Sequence, residues 1–387
     1  MTPEQHARLT QLRHDLHRIP EVSGEEEFTA AFIADVMRAS EPDMLLTGLG
    51  GHGVAAVFDS GTPGPTVMIR CELDGLPIHE ISDLPYRSQT DGRGHLCGHD
   101  GHMVMVAGLA EWLAERPLQR GRVVLMFQPA EETGKGAAAV IDDPRFAQIQ
   151  PDYAFSLHNL PGLAEGKVAL CAGPANCASR GMRIRLTGRT SHAAAPQDGV
   201  SPAGVISALL PALAGLSQGE ALNADFALVT LTHCRMGEAT FGISPGEGEI
   251  WATLRTVTND RMRDLMARAE ALVEEHTKQD GLTFDISYDD EFDACTNHPE
   301  AVALLNAACQ DQGRAVEIRE EPQRWSEDFG QFSRHAKCAM FWLGSGEAQA
   351  QLHNPDFDFP DVVIPVGTGI FKAAITNLLV TPDAGNH

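Results

Sequence analysis

Three absences narrow what this 387-residue chain can be: a long apolar run, a cysteine framework and an excess of positive charge. No stretch approaches the ~18 consecutive apolar residues that cross a bilayer, which argues against a membrane partner. The opening "MTPEQHARLTQLRHDLHRIP" is charged throughout and lacks the apolar centre of a signal peptide, so a cytoplasmic location is the expectation. The eight cysteines (71, 97, 171, 177, 234, 295, 309, 338) stand singly, which points to reduced thiols and not to a disulfide scaffold. Only 29 Lys and Arg face 53 Asp and Glu, a formal net charge of −24. That balance argues against a nucleic-acid backbone or an anionic membrane surface as partner. It leaves open an acidic small molecule, which one or two local arginines can bind.

What is present describes an ordinary globular protein, 43% hydrophobic and 21% charged. The length favours two domains over one. Thr2-Pro3 predicts the cap of a first amphipathic helix, and Ser23-Gly24-Glu25-Glu26 the opening of a second. "GVAAVFDS", "PTVMIRCELD", "GRVVLMFQPAEE" and "DYAFSLHNLP" are apolar runs of strand length, and "HMVMVAGLAEWLAERP" has helical spacing. Strands alternating with helices predict an α/β domain with a largely parallel central sheet flanked by helices. Reactive groups in such sheets collect past the strand C-terminal ends. Beyond about residue 176 the order becomes β-α-β-β-α-β, the pattern of a small α+β sandwich. The expected organisation is therefore a catalytic domain in two parts, 1–176 and 291–387, interrupted by an inserted sandwich at 177–290.

Ligand-type side chains stand at several of these strand ends. "GHLCGHDGHM" carries Cys97 and His99, "FQPAEETG" carries Glu131 and Glu132, "SLHNLP" carries His158, and "QLHNPDFDF" carries His353. Thiolate, imidazole and carboxylate together suit zinc or another borderline divalent ion better than calcium or magnesium. A lone histidine is as often structural, which is the competing reading for His95 and His102. Adjacent glutamates are usually a solvated turn, but these follow the apolar run "VVLMFQPA", and ionised carboxylates are rarely buried without a cation. One glutamate can bind metal while the other takes a proton from a water that the metal acidifies and hands it to a leaving group. Residue chemistry alone thus reaches a metallohydrolase.

The series "LHRIPEVSGEE", "IRCELDGLPI", "GHLCGHDGHM", "FQPAEETGKGA", "LHNLP", "SHAAAP", "ATLRT", "SEDFG" and "LHNPDFDF" resembles, nearly end to end, the zinc-dependent peptidase/aminoacylase superfamily. The nearest branch is similar to the amidohydrolases that include hippurate hydrolases and plant indole-acetyl-amino-acid hydrolases. The resemblance implies metal ligands Cys97, His99, Glu132, His158 and His353, with two metals per subunit and Cys97 between them. Zinc is the first expectation, with manganese, cobalt or nickel as alternatives. It implies Glu131 as general base and subsequent acid, and His192 as a donor that polarises the scissile carbonyl. It also makes the inserted sandwich a lid and dimerisation domain, so a homodimer or higher homo-oligomer is expected. Arg255 is a candidate for holding a substrate carboxylate, with a structural salt bridge as the alternative. Asp74 and Glu72 are read as residues that orient the metal ligands.

Three positions depart from the pattern. Glu72 stands where an aspartate is usual, Gly242 replaces an asparagine, and Lys135 enters a glycine-rich stretch. None removes a proposed ligand or the base, but they bear on substrate identity, since the lost amide and the added cation would change pocket polarity. The expected activity is cleavage of N-acyl-amino acids by metal-activated water. The alternatives are a dipeptidase or carboxypeptidase of the same superfamily, and a metal-binding protein without catalysis. A redox role for Cys97 lacks a resolving cysteine nearby in sequence.

Overall fold

The computed structural model describes residues 1–116, 118–278 and 281–380. They form two compact units. One holds Met1–Ala175, Thr296–Glu320 and the chain from Asp328 onward; the other holds Asn176–Cys295 and Glu321–Glu327. The segment Glu321–Glu327 joins the second unit although no composition shift marks it in the sequence.

The first unit is built on an eight-stranded sheet. At its centre, Arg122–Gln128, Thr66–Glu72, Tyr153–Pro161 and Lys337–Gly346 run parallel in that spatial order. Their apolar runs are buried almost throughout, as expected when both faces of a parallel sheet are covered. Antiparallel pairings appear toward the edges, where Gly53–Asp59 lies against Arg122–Gln128 and Val168–Cys171 against Lys337–Gly346. The sheet is therefore mostly parallel in its middle and mixed at its flanks. Helices Pro3–His17, Glu27–Arg38, His99–Glu115, Pro299–Asp311 and Ile364–Leu379 share one continuous core with alternate strand residues such as Val123, Leu125 and Phe127.

The helix starts follow local chemistry. Thr2 caps the first helix in a reciprocal capping box with Gln5. The second helix differs from expectation. It begins at Glu27, and neither Ser23 nor Glu26 caps it: the Ser23 hydroxyl donates to Asp74 Oδ2 at 2.7 Å, and the Glu21 carboxylate accepts the Phe28 and Thr29 N–H groups at 3.2 and 2.7 Å. One stretch, Asp361–Leu379, also proves long and apolar enough to cross a bilayer by length and composition. Its apolar side chains, among them Ile364, Ile370, Phe371 and Ile375, are instead buried in the core of the first unit.

The second unit is a four-stranded antiparallel sheet in the order Ala227–Met236, Glu247–Thr256, Ala178–Thr187, Thr283–Phe292. Helices Ala203–Ala214 and Asn259–Thr277 pack on it around Ile184, Leu209, Leu254 and Leu265. This is the α+β sandwich that the element order predicts. A two-stranded ribbon within the unit pairs Ser191–His192 with Ile243–Ser244.

Candidate metal centre

The four central strands deliver the ligand-type residues from their C-terminal ends, where a parallel sheet leaves backbone and side chains free to converge. Thr66–Glu72 leads to Asp74, Arg122–Gln128 leads to Glu131 and Glu132, and His158 lies late in Tyr153–Pro161. Cys97 precedes helix His99–Glu115, and His353 lies past Lys337–Gly346. Gly98 joins Cys97 to the helix with φ +91°, and a Cβ there would lie 2.5 Å from Asn159 Oδ1. Both facts require glycine between the two ligand-type residues.

The donor atoms form two triads that share the Cys97 sulfur. Cys97, His99 and His158 make one, Cys97, Glu132 and His353 the other, each with its donor atoms within 4.8 Å of one another. A third group, His99, Glu131 and Glu132, brings the second glutamate alongside. Cys97 Sγ lies 3.4 Å from His158 Nε2, and His353 Nε2 lies 3.5 Å from Glu132 Oε1. The two buried imidazoles of the triads each spend their Nδ1 on a carbonyl, that of Asp74 for His99 and that of Asn159 for His158, both at 2.8 Å. Donation from Nδ1 fixes the tautomer that offers Nε2 to a metal. Among the described residues, His99 Nε2 and Glu132 Oε1 are buried without a hydrogen-bond partner, as atoms reserved for a cation would be.

The electrostatics ask for positive charge. Burial alone would keep His99 neutral, but the Asp74 carboxylate, followed by Glu72 and Glu132, raises its pKa to about 10. Burial, followed by the charges of Glu132 and Glu131, pushes the Cys97 thiol well above its ordinary range. His158 moves the other way, held well below the ordinary imidazole value by burial and then by the nearby His102. A proton on His99 answers the carboxylates in the protein alone. A divalent ion would answer them better, because it takes the His99 lone pair and deprotonates the thiol. The mixed nitrogen, sulfur and oxygen set therefore fits a borderline divalent metal.

The residues around the triads have distinct tasks. Asp74 Oδ2 accepts the Glu132 N–H at 3.0 Å and the Ser23 hydroxyl, so it braces both His99 and Glu132. Glu72 reaches His102 Nδ1 at 2.6 Å and also pairs with Arg70. His102 in turn lies 2.7 Å from Asn159 Oδ1, beside His158. Asp100 faces away from the triads toward His17 and Arg13. Both nitrogens of His95 are buried without a hydrogen-bond partner among the described residues, and burial lowers its pKa to about 4.

His192 and Arg255 belong to the second unit. His192 is exposed, and its Nδ1 accepts the Ala194 N–H at 3.0 Å. Gly242 lies beside it, its carbonyl accepting the Ala193 N–H. The Arg255 Nη1 donates to the Arg324 carbonyl and to Ser326 Oγ, both at 3.0 Å. Lys135 is exposed just before the short helix Gly136–Asp142.

Residues 68–377 match the sequence model of Peptidase family M20/M25/M40. The chain belongs to this family. It is 28% identical over 355 residues to a hippurate hydrolase of Campylobacter jejuni, covering 91% of this chain and 92% of that protein. It is 30% identical over 358 residues to an N-acetyl-L-cysteine deacetylase of Bacillus subtilis, covering 92% and 85%. A solved Bacillus subtilis structure, described as a dinuclear metal binding peptidase of the M20 family, superposes with a TM-score of 0.81 at 24% identity, covering 97% of this chain and 99% of that one. That likeness shows a common fold.

Two supports of this M20 site escape sequence reasoning. Glu26 is fully buried and accepts the Ala130 N–H at 2.7 Å, holding a left-handed residue (φ +50°) directly before Glu131. Asp328, in "SEDFG", accepts from Arg70, Gln128 and the Ala137 N–H, while its own N–H donates to Glu131 Oε1 at 3.4 Å. Arg70 is the signal that could have exposed the second support. An arginine inside the apolar strand "VMIRCE" must find buried acids somewhere.

Proposed function

We propose that this M20 member is a metal-dependent amidohydrolase that cleaves the amide bond of N-acyl-amino acids. The observation that carries the reading is the pair of donor triads sharing Cys97, with Glu131 beside them. The names of the two relatives, a hippurate hydrolase and an N-acetyl-L-cysteine deacetylase, support the substrate class. Cys97, His99, Glu132, His158 and His353 would hold two divalent ions, zinc first by donor chemistry, with manganese, cobalt or nickel as the other candidates. The dinuclear description of the solved M20 structure supports that number. Such ions, when bound, polarise the acyl carbonyl and lower the pKa of a water at the site.

Glu131 is the general base. It takes the proton of the attacking water and delivers it to the amine nitrogen as the C–N bond breaks. The products are a carboxylic acid and a free amino acid. The Asp328 N–H on Oε1 holds the carboxylate, and Oε2 lies 4.0 Å from His99 Nε2, inside the donor cluster. His192 donates to the developing oxyanion. Arg255 holds the substrate carboxylate: its guanidinium is partly buried, and no carboxylate pairs with it among the described residues, which disfavours a structural salt bridge. The second unit acts as lid and dimerisation domain. A hydrolysis screen of metal-reconstituted protein against acetyl-, benzoyl- and indole-acetyl-amino acids beside dipeptides tests the reading. Turnover of dipeptides alone overturns it.

A further inference from the structure

Arg13, in helix Pro3–His17, is fully buried and has no part in the chemistry above. Its Nη1 donates to Asp100 Oδ2 at 3.1 Å and to Asp358 Oδ1 at 2.8 Å, and its Nε donates to Asp361 Oδ1 at 2.5 Å. Asp100 follows His99 directly, while Asp358 and Asp361 follow His353 in the segment "HNPDFDFPD". One guanidinium therefore joins the start of the helix bearing His99 to the segment bearing His353.

Other contacts run along the same seam. The His353 N–H donates to the Leu96 carbonyl at 2.8 Å, next to Cys97. The Phe359 ring sits against Gly101, where a Cβ would meet ring carbons at 2.5 Å. The Tyr86 hydroxyl donates to Asp358 Oδ2, and His17 Nδ1 lies 2.8 Å from Asp100 Oδ2. His353 itself is half exposed and has a left-handed backbone (φ +66°), so local packing does little to hold it. Burying a guanidinium among three carboxylates is a poor way to gain stability, since desolvation offsets much of the attraction. It is an effective way to fix geometry, because the planar fork addresses several acceptors at set angles.

We propose that Arg13 is a positioning residue that sets the spacing between the two donor triads, tying the His99 side to the His353 segment. This rests on the two-ion reading given above. Arg13→Lys keeps the charge but loses the fork, and Asp358→Asn and Asp361→Asn each weaken the tie on the His353 side alone. Arg8→Gln, which removes an exposed pair with Glu111, is the control.

The experiment titrates Co²⁺ into the metal-free full-length chain, following stoichiometry and visible absorption, with thermal unfolding alongside. The wild type and Arg8→Gln should take up two equivalents. The Arg13 and aspartate variants should bind the first equivalent within about twofold of wild type and the second at least tenfold more weakly, with an altered second-step spectrum. If Arg13→Lys does not fold, the aspartate variants carry the same expectation. A wild type that binds one ion overturns the two-ion reading. A wild type that binds two, with variants that also bind two at unchanged affinity or lose both equally, overturns the role of Arg13 alone.

Discussion

Gly98→Ala isolates what the link between Cys97 and His99 requires. The residue has φ +91°, and an added Cβ would sit 2.5 Å from Asn159 Oδ1. The left-handed backbone costs an alanine ~1–2 kcal/mol. Forcing the methyl into a packed amide adds ~1–3 kcal/mol, for a total of ~2–5 kcal/mol. Asn159 cannot withdraw freely, because its Oδ1 lies 2.7 Å from His102 Nε2. Gly162→Ala separates the two contributions, since Gly162 has φ +87° and an added Cβ there would meet nothing within 4 Å. Thermal and urea unfolding should show the backbone cost alone in Gly162→Ala and a clearly larger loss in Gly98→Ala. At about 2–4 °C per kcal/mol for a domain of this class, Gly98→Ala should lower Tm by roughly 4–20 °C. Zn²⁺ competition titration should also show weaker uptake in Gly98→Ala and none of that effect in Gly162→Ala. Equal stability losses with unchanged Zn²⁺ affinity would show that the close approach of Gly98 to Asn159 constrains neither folding nor the metal ligands.

Two further outcomes follow from the buried charges. Burial opposes protonation of His17, but Asp100 and then Glu80 raise its pKa from 6.5 to about 9, so its contribution is full below pH 6.5 and lost as pH rises to 9. The change is worth ~3 kcal/mol, so the metal-free wild type should lose about that much more stability than His17→Gln between pH 6.5 and 9. Parallel pH–stability curves for the two would contradict it. Arg255→Met should raise KM for N-acyl-amino acids about 10–100-fold with little change in Tm, the worth of a charge-assisted hydrogen bond. A large fall in Tm with unchanged KM would make Arg255 structural.

The sequence shows best what depends on neighbours in the chain. The apolar strands ending in Glu131-Glu132 and at His158 are visible from patterning, and the Thr2 cap from its immediate context. The β-α-β-β-α-β order of the second unit is visible for the same reason. The donor types at those strand ends already imply a metal. What stays hidden depends on partners far along the chain. Ser23 has the residue type of a helix cap, yet Asp74 claims its hydroxyl. Arg70 meets Asp328 across 258 positions, and Arg13 meets Asp358 across 345. The left-handed turn at Ala130 is equally silent, because alanine does not advertise it and Glu26 stabilises it from another element. Asp361–Leu379 shows the converse: composition would allow a membrane span, and only tertiary packing reveals a core helix.

In the proposed mechanism Glu131 moves the proton while other side chains hold the metals. Glu131→Ala tests it directly, by measuring turnover of an N-acyl-amino acid together with bound metal per chain. In Glu131→Ala kcat should fall about 10²–10⁴-fold with metal content as in the wild type. Near wild-type turnover, or loss of activity only because the metal is lost, would contradict it.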